Sequence, residues 1–184
     1  MYYYIIPYFF LLLGSLLIKN YNFNKSIIIL ILFTFLFPAI LIVILRGNIG
    51  TDTLQYLRHF NSLSIQGYID TFEPGFNYLA ALINLFGFKD NFDVAIIGFL
   101  IIFLLIKSFS DSKESALLFI YILFPIFFYD LSINTLRAGL AFALSSIALD
   151  YLYEKQNFKF ILFTILSIFM QYSAIFIIIF FLFF

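Results

Sequence analysis

Long apolar runs separated by short polar breaks set the architecture of this chain. Tyr2–Ile18, Ile27–Leu45, Phe92–Phe109, Ala138–Tyr153, a last run from Phe160 and the short but extensible Ala116–Tyr129 each predict a membrane-spanning helix, a full crossing taking about 20 residues. Phe76–Phe88 is too short for that at 13 residues and carries Asn77 and Asn84, which predicts a re-entrant or interfacial helix. No run alternates apolar with polar residues, as a transmembrane β-barrel requires. The expectation is an all-α, polytopic helical membrane protein, with about six spans plus one short helix, forming a single transmembrane domain over residues 1–184. The one long polar interval is Arg46–Gly75, RGNIGTDTLQYLRHFNSLSIQGYIDTFEPG. If the chain has a chemical site, that interval forms much of it.

Composition sharpens this picture. A mean hydropathy of +1.08 with 11% charged residues excludes an ordinary soluble domain, in which about a quarter of residues are charged. With no cysteine, disulfides, thiolate nucleophiles and Cys-based metal sites are excluded. The lone His59 has no companion for a metal site, so no metal is expected, and the absence of polybasic runs gives no reason to expect a nucleic acid partner. The first residues lack a basic segment and a cleavage site, so they read as a first span rather than a removed signal peptide. The chain stops inside the apolar IFIIIFFLFF, which raises the expectation of a fragment of something longer.

Lysine placement predicts the topology. If Phe76–Phe88 does not cross, Lys19, Lys25, Lys107, Lys113, Lys155 and Lys159, six of the seven lysines, share one side, the cytoplasm by the positive-inside tendency. Arg46, Arg58, Arg137, His59, Asp52, Glu73 and Asp130 then share the outside.

Several polar residues could carry chemistry. Arg46 ends an apolar run and meets GNIGTD, where Gly47 and Gly50 let the backbone approach an anion with its N–H groups exposed. It could equally snorkel to the headgroups. Asp52 could act as a general base or hold Arg46 or Arg58, or Asp52 or Thr51 could simply cap the helix that follows. In Glu73-Pro74-Gly75-Phe76 a turn presents Glu73 at the mouth of the short helix, as a base, an arginine partner or a solvated acid. His59 reads as an exposed helical residue. Arg137 opens a span in which Gly139 and Ala143, and Ala141 and Ser145, allow close helix packing. An arginine there needs a compensating anion, which Asp130 could supply as a local ion pair. Asp150 reads as interfacial, and Gln171-Tyr172-Ser173 as a polar break, suited to an interhelical hydrogen bond or a cavity wall.

RGNIGTDTLQY, EPGF, NTLRAGLAFAL and QYSA, in this order, resemble the EpsG-like family of membrane polysaccharide polymerases, similar in role to the Wzy O-antigen polymerases. That family carries an R-x3-GTD-x3-Y element, an E-x-G-[FY] element, an outer-face Arg usually followed by Gln, and an H-x-S-A element within a later span. Here Gln171 stands in place of the histidine and Ala138 in place of the glutamine, and family members are longer. The resemblance implies polymerisation of polyprenyl-diphosphate-linked oligosaccharide repeats into capsule, exopolysaccharide or O-antigen, at the outer face of the bacterial inner membrane. It implies no cofactor; the partners are the lipid-linked glycan, the bilayer and other polysaccharide assembly proteins. Arg46 and Arg137 would then hold the diphosphate, Asp52 or Glu73 would be the base, and Gly50, Thr51, Tyr56, Arg58, Gly75 and Gln171 would contact substrate. A transporter or flippase, or a non-catalytic membrane component of a biosynthetic complex, are the alternatives.

Overall fold

The computed structural model describes residues 2–47, 49–66, 71–88, 90–176 and 179, and all its secondary structure among them is helical, with no strand. In chain order the helices are α1 (Tyr2–Asn20), α2 (Lys25–Ile44), α3 (Thr53–Gln66), α4 (Pro74–Asn84), α5 (Asp90–Phe109), α6 (Lys113–Leu118), α7 (Leu136–Tyr153) and α8 (Asn157–Met170). Local chemistry sets several starts. Asn24 caps α2 by accepting from the Ile27 N–H at 3.0 Å, and Ser112 caps α6 through the Ser115 N–H at 3.0 Å. Pro74 opens α4, where its missing N–H costs nothing.

The apolar runs do not all become separate, full-length spans. Lys25–Ile44 and Asn91–Phe109 are long and apolar enough to cross a membrane, while the apolar helices Tyr4–Asn20 and Asn157–Met170 are shorter. The run expected at Ala116–Tyr129 and the polar turn expected at Asp130–Arg137 merge. Helix α6 continues into π-helical turns over Phe119–Phe128 and Asp130–Asn134, and only Thr135 remains as a break before α7. Pro125 lies within the first of these, where it removes a donor from the regular ladder. The wide register persists to the end, with the Thr135 N–H donating five residues back to the Asp130 carbonyl at 2.8 Å. Helix α8 stops at Gln171, which is extended at φ −158° and ψ 124°, and helix resumes at Ala174. The expected polar break is thus an interruption of the last apolar run. Lys89 and the closing residues 180–184 lie outside the described residues.

Burial follows what a bilayer asks. Ile28, Leu32, Leu36, Ala39 and Val43 form the inner stripe of α2, while Leu30, Phe37 and Leu41 face outward beside Phe9, Leu13 and Leu16 of α1. A surface of this kind is untenable in water and natural against lipid. Helix α5 lies centrally against α2 and α7, and α7 packs most extensively on α8. There Ser167 donates to the Ala141 carbonyl and shares a hydrogen bond with Ser145, both at 2.7 Å, so the small residues at 141 and 145 do bring the two helices together.

The polar turns sort to opposite ends. Lys113 donates to the Lys19 carbonyl, Lys25 pairs with Asp111, and Lys25, Lys107 and Lys159 line one cleft with Asp111 and Glu154. Arg46 and the Glu73–Arg137 pair lie toward the other end.

Candidate functional site

Arg46 follows the last turn of α2 and its side chain turns inward. It is 5% exposed, so it does not snorkel. Its Nη1 donates to the Ile133 carbonyl at 2.7 Å and the Ser132 carbonyl at 3.2 Å. These carbonyls belong to the final π-helical turn, where chain geometry leaves acceptors unsatisfied and the helix dipole favours a cation. Nε and Nη2 are buried with no partner. Burial pulls this guanidinium down to about 10, which leaves it charged at neutral pH. An arginine so placed carries donors beyond those its own fold uses.

The loop after Arg46 docks on the same turn. Gly50 has φ 124°, and a Cβ there would meet Thr53 Oγ1 at 2.5 Å and Asn134 Oδ1 at 3.1 Å. The Thr51 N–H donates to Asn134 Oδ1 at 3.2 Å, and Asn134 Nδ2 in turn donates to Asp130 Oδ1 at 3.0 Å. The Thr51 amide therefore holds the loop in place. Asn134, quoted in the sequence motif without a role, is the residue that joins RGNIGTD to NTLR.

Glu73 and Arg137 form the third junction. Arg137 Nη1 lies 2.6 Å from Glu73 Oε2, with side-chain exposures of 28% and 12%. The expected local pair with Asp130 does not form; the Asp130 carboxylate takes Asn134 instead. Glu73 occupies the N-cap position of α4 without using its side chain as a cap, so the carboxylate stays available to Arg137. The Arg137 guanidinium also covers the Phe72 ring, 4.4 Å from its centroid. Phe72 itself is fixed by Asn77, whose Nδ2 donates to the Phe72 carbonyl at 2.6 Å. Tyr56 is buried against Phe72 and Phe76; burial pushes its phenol up, against the pull of nearby Arg137, so it remains a protonated donor.

The remaining candidates take distinct places. Asp52 is half-buried, and among the described residues its carboxylate makes no hydrogen bond or ion pair, so it holds neither Arg46 nor Arg58. Its carbonyl, not its side chain, receives the first N–H bonds of α3. Gly75 lies against α8: a Cβ there would come within 2.7 Å of the Phe169 carbonyl oxygen. Gln171, just beyond, is partly buried with Oε1 lacking a partner. Arg58 is exposed on α3. Asp150, expected at the interface, is half-buried and accepts from Ser108 Oγ at 2.8 Å. His59 is not exposed, as α3 alone would suggest, but 4% exposed. Its Nδ1 lies 2.6 Å from Thr71 Oγ1 and its ring meets Phe72 edge-on at 4.8 Å.

Burial, helped by the Arg137 charge, holds the His59 pKa below its ordinary 6.5. The folded state therefore binds fewer protons than the unfolded chain just below pH 6.5. The stability from neutral His59 is complete above pH 6.5 and declines as pH falls below it. Because His59 is the sole histidine, selective labelling gives one imidazole signal by NMR. Its midpoint is expected below 6.5, moving up in Arg137→Gln, which removes the neighbouring charge.

A helical bundle with an apolar surface, lysine-rich turns at one end and a partly buried arginine-carboxylate pair at the other defines a helical membrane protein. The EpsG family model matches residues 26–184, and the chain belongs to the EpsG family; that membership points to a role in polysaccharide biosynthesis. No curated protein and no solved structure matches the chain.

Proposed function

We propose that this chain polymerises polyprenyl-diphosphate-linked oligosaccharide repeats at the outer face of the bacterial inner membrane, as a multi-pass protein of six spans with the lysine-rich turns in the cytoplasm. The observation that carries the proposal is the meeting of sequence-distant motifs at one end of the bundle. Arg46 bonds to carbonyls 86 and 87 residues away, and Arg137 pairs with Glu73 across 64 residues. Gly75 of the EPGF element rests on Phe169 of α8, two residues before Gln171 of the QYSA element.

The roles follow from the chemistry. A diphosphate leaving group needs fixed positive charge, and arginine binds phosphate oxygens through a planar fork. Arg46 has two buried donor nitrogens unused by the fold. Arg137 is held by Glu73 and Phe72 while its side chain remains 28% exposed. Together they would stabilise the charge that develops on the departing diphosphate. Glu73, committed to Arg137, orients that arginine. Asp52, half-exposed and unpaired, is the better general base: it would take the proton of the acceptor hydroxyl as that oxygen attacks the anomeric carbon and the carbon–oxygen bond to the diphosphate breaks.

The test is surface-polysaccharide length on a gel, in a deletion strain complemented with the gene as it stands at its locus. The native gene is expected to restore a ladder. Asp52→Asn, which keeps size and removes the base, is expected to leave single repeat units with undiminished membrane protein levels. A full ladder from Asp52→Asn removes Asp52 as the base. A ladder that persists in the deletion strain removes the polymerase assignment.

A further inference from the structure

The helix after the GTD motif presents a polar face that the diphosphate chemistry does not use. Gln55, Arg58, His59 and Ser62 recur along α3 at the i, i+3, i+4, i+7 spacing of a single helix side. With Thr71 and Phe72 they line a cleft of about 230 Å³. His59 is the notable member, because its ring is buried while Nε2 has no hydrogen-bond partner. Burying such a nitrogen unpaired is costly, and a ligand hydrogen bond would remove that cost. Phe72 is the shared wall: the cleft lies beside it, and Arg137 sits over its ring.

We infer that this cleft is a sugar-binding subsite, in which one ring of the glycan seats a hydroxyl on His59 Nε2 beside the Arg137–Glu73 pair. The inference deepens the polymerase assignment and rests on it. The lining selects for hydroxyls. If Thr71 donates to His59 Nδ1, Nε2 is a donor; if Nδ1 donates to Thr71, Nε2 is an acceptor. A sugar hydroxyl satisfies either tautomer, because it both donates and accepts. Gln55, Ser62 and Thr71 have the same dual character, and Phe72 offers the apolar edge against which a ring can pack.

An anion is a poorer match. The imidazole is disfavoured as a cation by burial and by Arg137, so among the described residues Arg58 is the one charged side chain lining the cleft. The volume also lies below the roughly 300–1,000 Å³ of sites that hold a drug-sized ligand, which suits a single ring.

The experiment uses the full chain in lipid nanodiscs with ¹⁵N-histidine, read through its one imidazole. The probes are the repeat-unit oligosaccharide, released from the surface polysaccharide of the strain that carries the gene, and inorganic diphosphate. The oligosaccharide is expected to shift the His59 Nε2 signal saturably. Ser62→Ala and Gln55→Ala should each weaken that response roughly fivefold, the scale of one lost hydrogen bond between uncharged groups. Diphosphate should leave the signal close to its free position. No shift with the oligosaccharide, a shift insensitive to both substitutions, or an equal shift with diphosphate would each overturn the subsite. Failure here with a ladder that still depends on Asp52 removes the subsite and leaves the polymerase standing. A saturable shift in a protein whose deletion leaves the ladder intact does the reverse.

Discussion

Replacing Arg137 with alanine is expected to abolish the polysaccharide ladder and also to loosen the protein. The guanidinium serves two groups at once, the Glu73 carboxylate at 2.6 Å and the Phe72 ring at 4.4 Å. Removing it leaves Glu73, only 12% exposed, without its cation. Breaking a fully buried pair costs roughly 3–5 kcal/mol; this one is partly open to solvent, so about 2 kcal/mol is the appropriate scale. The chemical loss is expected to be larger. A single preorganised donor that stabilises developing negative charge is worth about 10²–10³ in rate, enough to reduce a ladder to single repeats.

The two effects separate in a double variant. Glu73→Leu with Arg137→Met replaces the pair by apolar groups of similar reach, which usually restores stability. Thermal unfolding of the purified protein should return close to native while the ladder stays absent. A double variant that regains both would show that the pair is structural only. Arg137→Lys keeps the charge but loses the planar fork, and an intermediate ladder is expected.

The second large effect is at Gly139, far from any proposed chemistry. A Cβ there would collide with the Leu131 carbonyl oxygen and meet Ile101 Cδ1 at 2.9 Å. The obstacle is backbone in the π-helical segment, which no rotamer change moves aside. Overpacking of this kind costs about 1–3 kcal/mol, occasionally more, and the displaced segment carries the Ser132 and Ile133 carbonyls that hold Arg46. Gly139→Ala should therefore lower the unfolding temperature and weaken the ladder together, and Gly139→Val should leave little folded protein. Gly14→Ala is the control. Its Cβ would meet the Phe35 ring at 3.0 Å, a side chain able to swing away, and a much smaller shift is expected. A Gly139→Ala protein as stable as native would remove the close approach of α7 to the π-helical segment as a requirement of the fold.

Reading the chain residue by residue reached the helical class, a short helix within Phe76–Phe88 and the break at Gln171, because each depends on local pattern: the length of apolar runs and polar residues inside hydrocarbon. The turn expected at Pro74-Gly75 is instead the start of α4. It misjudged residues whose role depends on a distant partner. Asp130 is the nearest acid to Arg137 in sequence, yet Glu73 is its partner across 64 residues. His59 looked exposed on an amphipathic helix, but Thr71 and Phe72 fold over it. The turn expected at Asp130–Arg137 became helix: Asp130–Asn134 continue the π-helical register and Leu136 opens α7.

Hydrophobic patterning by itself determined a helical membrane protein with charge gathered in a few polar breaks, since burial of apolar side chains and saturation of backbone hydrogen bonds in lipid leave little else available to such a sequence. Which charges meet was decided only by the tertiary structure. Ion pairs, and arginine bonds to carbonyls, act over a few ångströms whatever the separation along the chain. Only packing of α4, α7 and the π-helical turns brings Arg46 within reach of the Ser132 and Ile133 carbonyls, Asn134 of Thr51, and Arg137 of Glu73.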